Sequence, residues 1–515
     1  MHYGHIPRDH RGRAGVSARP RIPAIFLSLT ITLAIIAAAG FLPAPGTARA
    51  EDGSPPSIDA FLSEHIRNHR LPGGALAVAR SDGGVQIYAR GNAGEDRPMT
   101  PDTPLYIASI SKTFTAVATM QLAERGMLDL DDTVEEYLPG FSVAGSQGSG
   151  AITLRHLLTH TSGLSERDLG ETPRARVEVA EAAAALGEVT PTAEPGERFI
   201  YFNRGYTLLG AVIEEVSGLS YGDYLELNIL EPLGMDSTFT DPTQAAEAGL
   251  ATGHGSLFGW PIAREQEFLQ YAVPAGFIIS TARDMGRYSA ALLAGGSFGE
   301  ATILSPESVK ALWTDTGGDV PYALGWMLSE VGDERVVSHG GSLENYASQL
   351  VLLPDRGVGA VVLFNGNHLL YNTTSHAGLV EDMALVLTGQ SPGEGTSTGM
   401  VGAILLFIFL VVAGLSLRSV IRLVGWRREV ADAPRARVMR DILVPTVLSI
   451  ATLSLVPVAL GAITDQNIPW SLFYLGAPDL ALIILVPAIT ALSVGVFRLV
   501  GYLSARVPVR SDMTS

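Results

Sequence analysis

Tyr106-Ile107-Ala108-Ser109-Ile110-Ser111-Lys112-Thr113-Phe114-Thr115 opens an apolar run that keeps a helical period as far as Arg125. A helix over 109–125 places residues i and i+3 on one face, so the Lys112 amine lies beside the Ser109 hydroxyl. A serine hydroxyl is a poor nucleophile until a neighbouring base takes its proton. A lysine serves as that base when desolvation or a nearby cation lowers its pKa. The start of such a helix also offers N–H groups to an oxyanion. The chain holds two lysines, Lys112 and Lys310, against 33 arginines. Arginine cannot act as a base, which sets Lys112 apart. Taken alone, S-x-x-K equally describes a surface lysine one turn after a serine N-cap.

Upstream, Ile58–His69 reads as a helix. Gly74–Arg80 and Val85–Arg90 read as strands joined by Ser81-Asp82-Gly83-Gly84, a hairpin signal. Downstream, Leu154–Thr159, Tyr206–Val216 and Tyr221–Ile229 read as helices. Strands return after about residue 320 at Ala323–Leu328, Arg335–Ser338, Ser348–Leu353 and Gly359–Phe364, with a last helix over His376–Leu387. The expected fold class is α+β. An antiparallel sheet shared by both ends of this region is flanked by helices, and the middle forms a helical lobe.

Two further motifs fall inside this region. In Tyr201-Phe202-Asn203, alternation along an extended segment puts Tyr201 and Asn203 on one side. A phenol near an ammonium can shuttle protons, and an amide can hold a substrate carbonyl. The bland reading is a core tyrosine and a turn asparagine. His339-Gly340-Gly341-Ser342 follows the apolar pair Val336-Val337. It suits an edge strand whose backbone binds substrate. Gly341 permits close approach, and the Ser342 N–H would join that of Ser109 in an oxyanion hole. The bland reading is a glycine turn with a surface histidine. Gly395-Thr396-Ser397-Thr398-Gly399 matches G-x-S-x-G but has no preceding strand, so it is not expected to be a nucleophile elbow. His156 and His160 have i,i+4 spacing without the glutamate of H-E-x-x-H. They are expected to make structural hydrogen bonds, and no metal or cofactor is expected.

The 515 residues carry a net charge of −17, distributed unevenly. Residues 1–50 have six arginines and one aspartate, and residues 398–515 have ten arginines and six acids. Those ends are +5 and +4, leaving −26 on residues 51–397. So acidic a body argues against nucleic acid as a partner. No cysteine is present, which excludes disulfides, thiol nucleophiles and cysteine metal sites. The apolar fraction of 47% points to membrane segments. At the N-terminus, Arg8 to Arg21 precede the apolar run Ala24–Leu42 and the tripeptide Ala48-Arg49-Ala50. This describes a secretory signal cleaved after Ala50, with an uncleaved anchor as the competing reading.

Near the C-terminus, Met400–Leu417, Ile442–Ile463 and Leu480–Phe497 are each long enough to cross a hydrocarbon core. Seven arginines lie between Arg418 and Arg440, while Thr464–Asp479 has no lysine or arginine. The positive-inside rule puts 418–440 and the tail in the cytoplasm, and 464–479 and everything between the ends outside it. The expected organisation is a signal or anchor over 1–50, a catalytic-sized domain over 51–390 and a linker over 391–399. Three transmembrane helices over 400–497 and a cytoplasmic tail over 498–515 follow.

The ordered set Ser109-x-x-Lys112, Tyr201-x-Asn203 and His339-x-Gly341 resembles the three motifs of the serine β-lactamase/penicillin-binding-protein superfamily. It is most similar to the class C β-lactamase-like branch. Ile152-Thr153-Leu154-Arg155-His156-Leu157-Leu158-Thr159-His160-Thr161-Ser162-Gly163-Leu164 is a close match to a recognisable block of that branch. Glu231-Pro232-Leu233-Gly234-Met235, Ser280–Met285 and Leu324-Gly325-Trp326 also fit in order, so the resemblance covers about residues 56–390. It implies an acyl-enzyme mechanism on amide, ester or lactam carbonyls. Ser109 would be the nucleophile, Lys112 and Tyr201 would move protons, and Asn203 and the His339–Ser342 strand would bind substrate. The substrates implied are a small peptide, an ester or a β-lactam, and the helices would contact membrane lipid. Ala108 stands where glycine is common. His339 replaces the lysine of K-T-G, which removes a permanent charge for a substrate carboxylate. Glu344 disfavours anionic substrates, and Asn345, where relatives often carry glycine, would preserve the turn at positive φ. Alternatives are a non-catalytic sensor domain coupled to the helices, and a transporter with an accessory domain. The lack of charge within the apolar spans argues against the transporter.

Overall fold

Alternation of small and β-branched residues in two distant parts of the chain builds one sheet. The structure, a computed structural model, describes residues 57–141, 152–166, 176–186, 191–368, 371–372, 376, 378–393, 397–430, 433–464 and 470–504. The expected signal or anchor therefore lies outside the described residues. Strands β1 (Gly73–Arg80), β2 (Val85–Gly94) and β3 (Arg97–Pro98) come from the front of the domain. Strands β10 (Met327–Val331), β11 (Glu334–Ser342), β12 (Ala347–Leu353) and β13 (Val358–Phe364) come from its end. They form a seven-stranded sheet in the order β10-β11-β12-β13-β1-β2-β3, antiparallel throughout. The two ends join where β1 pairs with β13, from Gly74↔Phe364 to Arg80↔Val358.

Both faces of the sheet are covered, and for that reason every residue of β12 is buried and the strand reads as a continuous apolar run. Helices α1 (Ile58–His69) and α7 (Leu379–Leu387) pack on one face around Leu62, Leu76, Val351 and Met383. The other face meets α6 (Ala282–Leu293) and continues into the helical lobe through Phe114, Tyr206 and Trp326. Among the helices that precede α6 are α2 (Ser111–Glu124), α3 (Leu154–Leu158), α4 (Asn203–Ser217) and α5 (Tyr221–Leu225). The smaller strands β4 (Leu105–Tyr106) and β7 (Ile279–Ser280) pair with each other, as do β5 (His254–Leu257) with β6 (Trp260–Ala263) and β8 (Ser297–Phe298) with β9 (Ala301–Thr302).

Three departures from the sequence expectation have physical reasons. The helix expected over 109–125 is a short 3-10 turn, Ala108–Ile110, followed by α2. Residues Ser111 to Leu122 of α2 are all buried, so this helix is enclosed on every side rather than amphipathic. Its threonines tolerate this by donating to carbonyls, Thr113 to Ile110 at 2.7 Å and Thr115 to Pro274 at 2.7 Å. Second, Ala323–Leu328 does not form one strand. Gly325 turns the chain at φ +82°, where a Cβ would lie 2.9 Å from that of Ala116, and β10 starts only at Met327. Third, β11 is second from the sheet edge rather than the edge strand. Its pairing with β10 ends at Met327↔Ser338, however, so His339–Ser342 pairs only with β12.

The expected apolar runs lie within helices α8 (Thr398–Val430), α9 (Arg435–Thr464) and α10 (Pro478–Ser504). The segments Thr398–Trp426, Arg435–Ala459 and Pro478–Ser504 contain 18-residue windows with mean hydropathies of 2.8, 2.1 and 2.6 and are long enough to cross a membrane. Contacts divide the described residues into two compact units, one within 57–411 and 453–485 and the other within 412–452 and 486–504.

Candidate active site

Ser109 sits in the 3-10 turn between β4 and α2, and the turn is held from several directions. The Ser111 hydroxyl donates to the Ala108 carbonyl at 2.7 Å and accepts from the Ile278 N–H at 3.1 Å. The Ser348 hydroxyl, from β12, donates to the Ile107 carbonyl at 2.7 Å. Ala108 has φ +48°, a left-handed conformation that costs an alanine of order 1 kcal/mol. The substitution noted in the sequence therefore places a non-glycine at a strained position beside Ser109.

Lys112 is fully buried one turn after Ser109. Its Nζ lies 3.2 Å from Ser109 Oγ, 2.8 Å from Asn203 Oδ1 and 2.6 Å from the Ala275 carbonyl. It also lies 4.9 Å from the centre of the Tyr201 ring and 5.5 Å from that of Tyr206. Burial disfavours the ammonium and brings the Lys112 pKa down to about 7, against an opposing pull from Glu166. A base with a pKa near the working pH is well matched to proton transfer.

Tyr201 and Asn203 do reach the same centre, but Asn203 is the first residue of α4 rather than part of a longer extended segment. Only Phe202 between them is extended. The Ser109 hydroxyl lies near enough to the Tyr201 phenol to act on its pKa, in the lowering direction. Although Tyr201 is 38% exposed, its surroundings desolvate the phenol and push its pKa up, so it is neutral at physiological pH. Of the two groups beside Ser109, Lys112 is therefore the one with a neutral, proton-accepting form populated near pH 7.

The end of β11 packs against the turn that carries Ser109. A Cβ on Gly341 would lie 2.1 Å from Ser348 Oγ, 2.4 Å from the Ile107 carbonyl and 3.0 Å from Ala108 Cβ, so no side chain fits there. The His339 side chain is buried. Its Nδ1 bonds the Gly340 carbonyl at 2.7 Å and its Nε2 meets the Tyr322 hydroxyl at 3.0 Å. The carbonyl can only accept, so Nδ1 carries the proton and Nε2 accepts from Tyr322. Burial, aided by Lys112, lowers the His339 pKa to about 3. His339 is therefore neutral.

Asn345 is not at a positive φ, contrary to expectation. It is fully buried and donates to the Arg264 carbonyl at 2.8 Å. His156 Nδ1 accepts from the Thr153 N–H at 3.2 Å and His160 Nδ1 from the Phe202 N–H at 3.1 Å, so both histidines hold backbone in place. Ser397 donates to the Asn68 carbonyl at 3.1 Å, while residues 395–396 of the G-x-S-x-G string lie outside the described residues. A cavity of about 1620 Å³ bordered by Tyr106, Tyr221, Asp223, Phe268 and Tyr346 is lined by neither Ser109 nor Lys112.

One group went unnoticed in the sequence. Glu166 accepts from the backbone N–H groups of Asn203 and Arg204 at 2.8 and 3.3 Å, which caps the start of α4 and fixes Asn203. Burial raises its pKa, opposed by Arg204 and these hydrogen bonds. Its only sequence signal is its place two residues after the block ending at Leu164. Glu166→Gln keeps an acceptor but removes the charge that supports the Lys112 ammonium. The Lys112 pKa should fall, and the midpoint of the acylation pH profile should move below that of the unsubstituted protein. An unmoved midpoint would remove Glu166 from the electrostatics of the site.

Residues 58–382 match the family model described as Beta-lactamase. Protein flp of Staphylococcus aureus (strain MW2) is 28% identical over 330 residues, 62% of this chain and 64% of its own length. This chain thus spans just under two thirds of the length of flp. Penicillin-binding protein 4 of Amycolatopsis lactamdurans is 30% identical over 323 residues, 60% of this chain and 84% of its own. Among solved structures, the octameric penicillin-binding protein homologue from Pyrococcus abyssi is similar with a TM-score of 0.56 at 27% identity, covering 67% of this chain and 80% of that one. A class C β-lactamase shares the fold with a TM-score of 0.54 at 22% identity, covering 64% of this chain and 94% of that one. With an antiparallel sheet, a helical lobe and a family match across 58–382, the chain belongs to the β-lactamase family, within the β-lactamase/penicillin-binding-protein superfamily of serine hydrolases and acyl-transferases.

Proposed function

We propose that this protein is a membrane-tethered serine hydrolase whose domain over 51–390 works outside the cytoplasm through an acyl-enzyme on Ser109. The observation that carries this reading is the 3.2 Å approach of Lys112 Nζ to Ser109 Oγ, with the amine at a pKa of about 7. In its neutral form Lys112 takes the Ser109 proton as the hydroxyl oxygen attacks the substrate carbonyl. Ser109 and Ser342 N–H groups stabilise the oxyanion. The proton then passes, with the help of Tyr201, to the departing amine, alcohol or lactam nitrogen. Water hydrolyses the acyl-enzyme and regenerates Ser109. Asn203 and the unpaired margin of His339–Ser342 hold the substrate.

The neutral His339 and the nearby Glu344 supply no cation for a substrate carboxylate, which favours a peptide or an ester lacking one over an anionic β-lactam. Small pocket contacts discriminate such substrates by about 1–3 kcal/mol each. The full chain in detergent should be compared on nitrocefin, a D-Ala-D-Ala peptide and short p-nitrophenyl esters. Turnover of any of them, lost in Ser109→Ala, supports the hydrolase. No turnover of any, with ligand binding that survives Ser109→Ala, would favour a sensor domain.

The orientation rests on the arginine asymmetry between 418–440 and 464–479. In intact cells a membrane-impermeant thiol reagent is expected to label Gln466→Cys and to spare Arg428→Cys. The opposite pattern would invert the topology.

A further inference from the structure

Among the described residues, the β5–β6 hairpin presents an apolar strand that is largely open to solvent. All four residues of β6, Trp260, Pro261, Ile262 and Ala263, are exposed, with Trp260 at 62% and Ile262 at 48%. An apolar, solvent-facing edge of this kind is a liability unless something covers it.

What lies next to the hairpin indicates the cover. Its turn, Phe258-Gly259, has φ +52° and +77°, and a bulky aromatic rarely adopts such a φ. The Phe258 ring is held 5.2 Å from that of Phe409 in α8. Gly402 of α8 lies directly under the turn, where a Cβ would come within 2.6 Å of the Gly259 nitrogen. One turn earlier, a Cβ on Gly399 would lie 2.7 Å from Arg70 Nε. The Arg70 guanidinium in turn sits 4.9 Å from the centre of the Trp260 ring. The Phe258 N–H also donates to the carboxylate of Asp479, at the start of α10. Gly402 is about 6 Å along the axis from Thr398, and Phe409 about 16 Å. The hairpin turn therefore runs beside the first turns of a helix whose following residues are apolar enough to cross a bilayer.

At its base the hairpin reaches the substrate strand. The His254 N–H donates to the Asn345 carbonyl at 3.2 Å, and Asn345 Nδ2 donates to the Arg264 carbonyl at 2.8 Å. Asn345 lies three residues after Ser342. One short ribbon thus links the end of β11 to the beginning of α8.

We propose that the β5–β6 hairpin docks in the membrane, with Trp260 and Ile262 in the boundary between headgroups and acyl chains of the outer leaflet. This rests on the reading that α8 spans a membrane. Tryptophan favours that depth, and arginine can lie along apolar surface with its charge at the headgroups. The −26 charge of residues 51–397 opposes electrostatic attraction to an anionic surface, so the docking is apolar in character. Through Asn345 it fixes the position of the substrate strand relative to the membrane, which suits substrates presented at that surface.

The natural lack of cysteine allows single-site labelling. The full chain carrying Ile262→Cys, Phe407→Cys or Leu227→Cys would be labelled with an NBD fluorophore. Each would be reconstituted in phosphatidylcholine–phosphatidylglycerol vesicles with and without brominated lipid. Phe407 is an exposed residue of α8, and Leu227, 51% exposed, lies in the helical lobe. Quenching is expected at 262 and 407 and not at 227, unchanged by added salt. If 407 is quenched while 262 stays as bright as 227, the hairpin does not dock and the tether stands. If neither 407 nor 262 is quenched, the tether fails and this proposal with it. Quenching at 227 as well would overturn docking specific to the hairpin. Trp260→Cys gives the same readout should Ile262→Cys fail to fold.

Discussion

Ser109→Ala is expected to lower turnover by about 10³-fold or more on every substrate the protein accepts, because the covalent route disappears and only binding and oxyanion stabilisation remain. The loss should fall on kcat/KM with little change in substrate affinity, measured as binding without turnover. Alanine removes one hydroxyl from a turn held by Ser111, Ser348 and Ile278, so the thermal midpoint should hardly move. A variant with wild-type turnover would remove Ser109 from the mechanism.

Lys112→Arg is expected to cost about 10²–10⁴-fold in acylation, the usual worth of a positioned general base. Arginine retains the charge but cannot release a proton near neutrality. The sign of the pH dependence follows from burial. With a pKa of about 7, Lys112 is protonated below that pH and neutral above it. Acylation by the natural protein should therefore rise as pH increases through about 7 and level off above it, and this rise should be absent in Lys112→Arg. The same depressed pKa makes the unfolded chain bind more protons than the folded one between about pH 7 and the ordinary lysine value. The Lys112 contribution to stability should thus improve as pH increases across that window. A pH–rate profile for acylation that falls through pH 7 would contradict the assignment of Lys112 as base.

The parts of this fold legible in the sequence are those set by local period. Ile58–His69 forms a helix with the expected bounds, and the hairpin at Ser81–Gly84 and the strands ending at Leu353 and Phe364 form as expected. Ser109 and Lys112 could be paired in advance because three residues on one helix fix their separation. Asn203 and Tyr201 also reach Lys112, although the helix there starts earlier than apolar periodicity indicates. The cause is Glu166, which caps that start from 37 positions upstream. No spacing rule links a carboxylate in a loop to a distant N-terminus.

The same holds for residues whose behaviour depends on burial. A histidine at 339 suggested a missing charge, but its neutrality depends on Tyr322 and the Gly340 carbonyl, which only the fold brings to it. Asn345 was legible as a turn residue and instead ties the end of the β5–β6 hairpin to the segment after β11. Helix α2 misled in another way. Its mixture of Thr, Ala and Val reads as a helix with an apolar period, while in the fold it is buried on every side with its hydroxyls turned onto carbonyls.

The central claim is a covalent acyl-enzyme on Ser109, and intact mass after exposure to an uncharged fluorophosphonate ester tests the nucleophile most directly. The account predicts a single adduct on the peptide containing Ser109, forming faster above pH 7 than below it and absent in Ser109→Ala. Folded protein that gains no adduct, or gains the same adduct in Ser109→Ala, would contradict it.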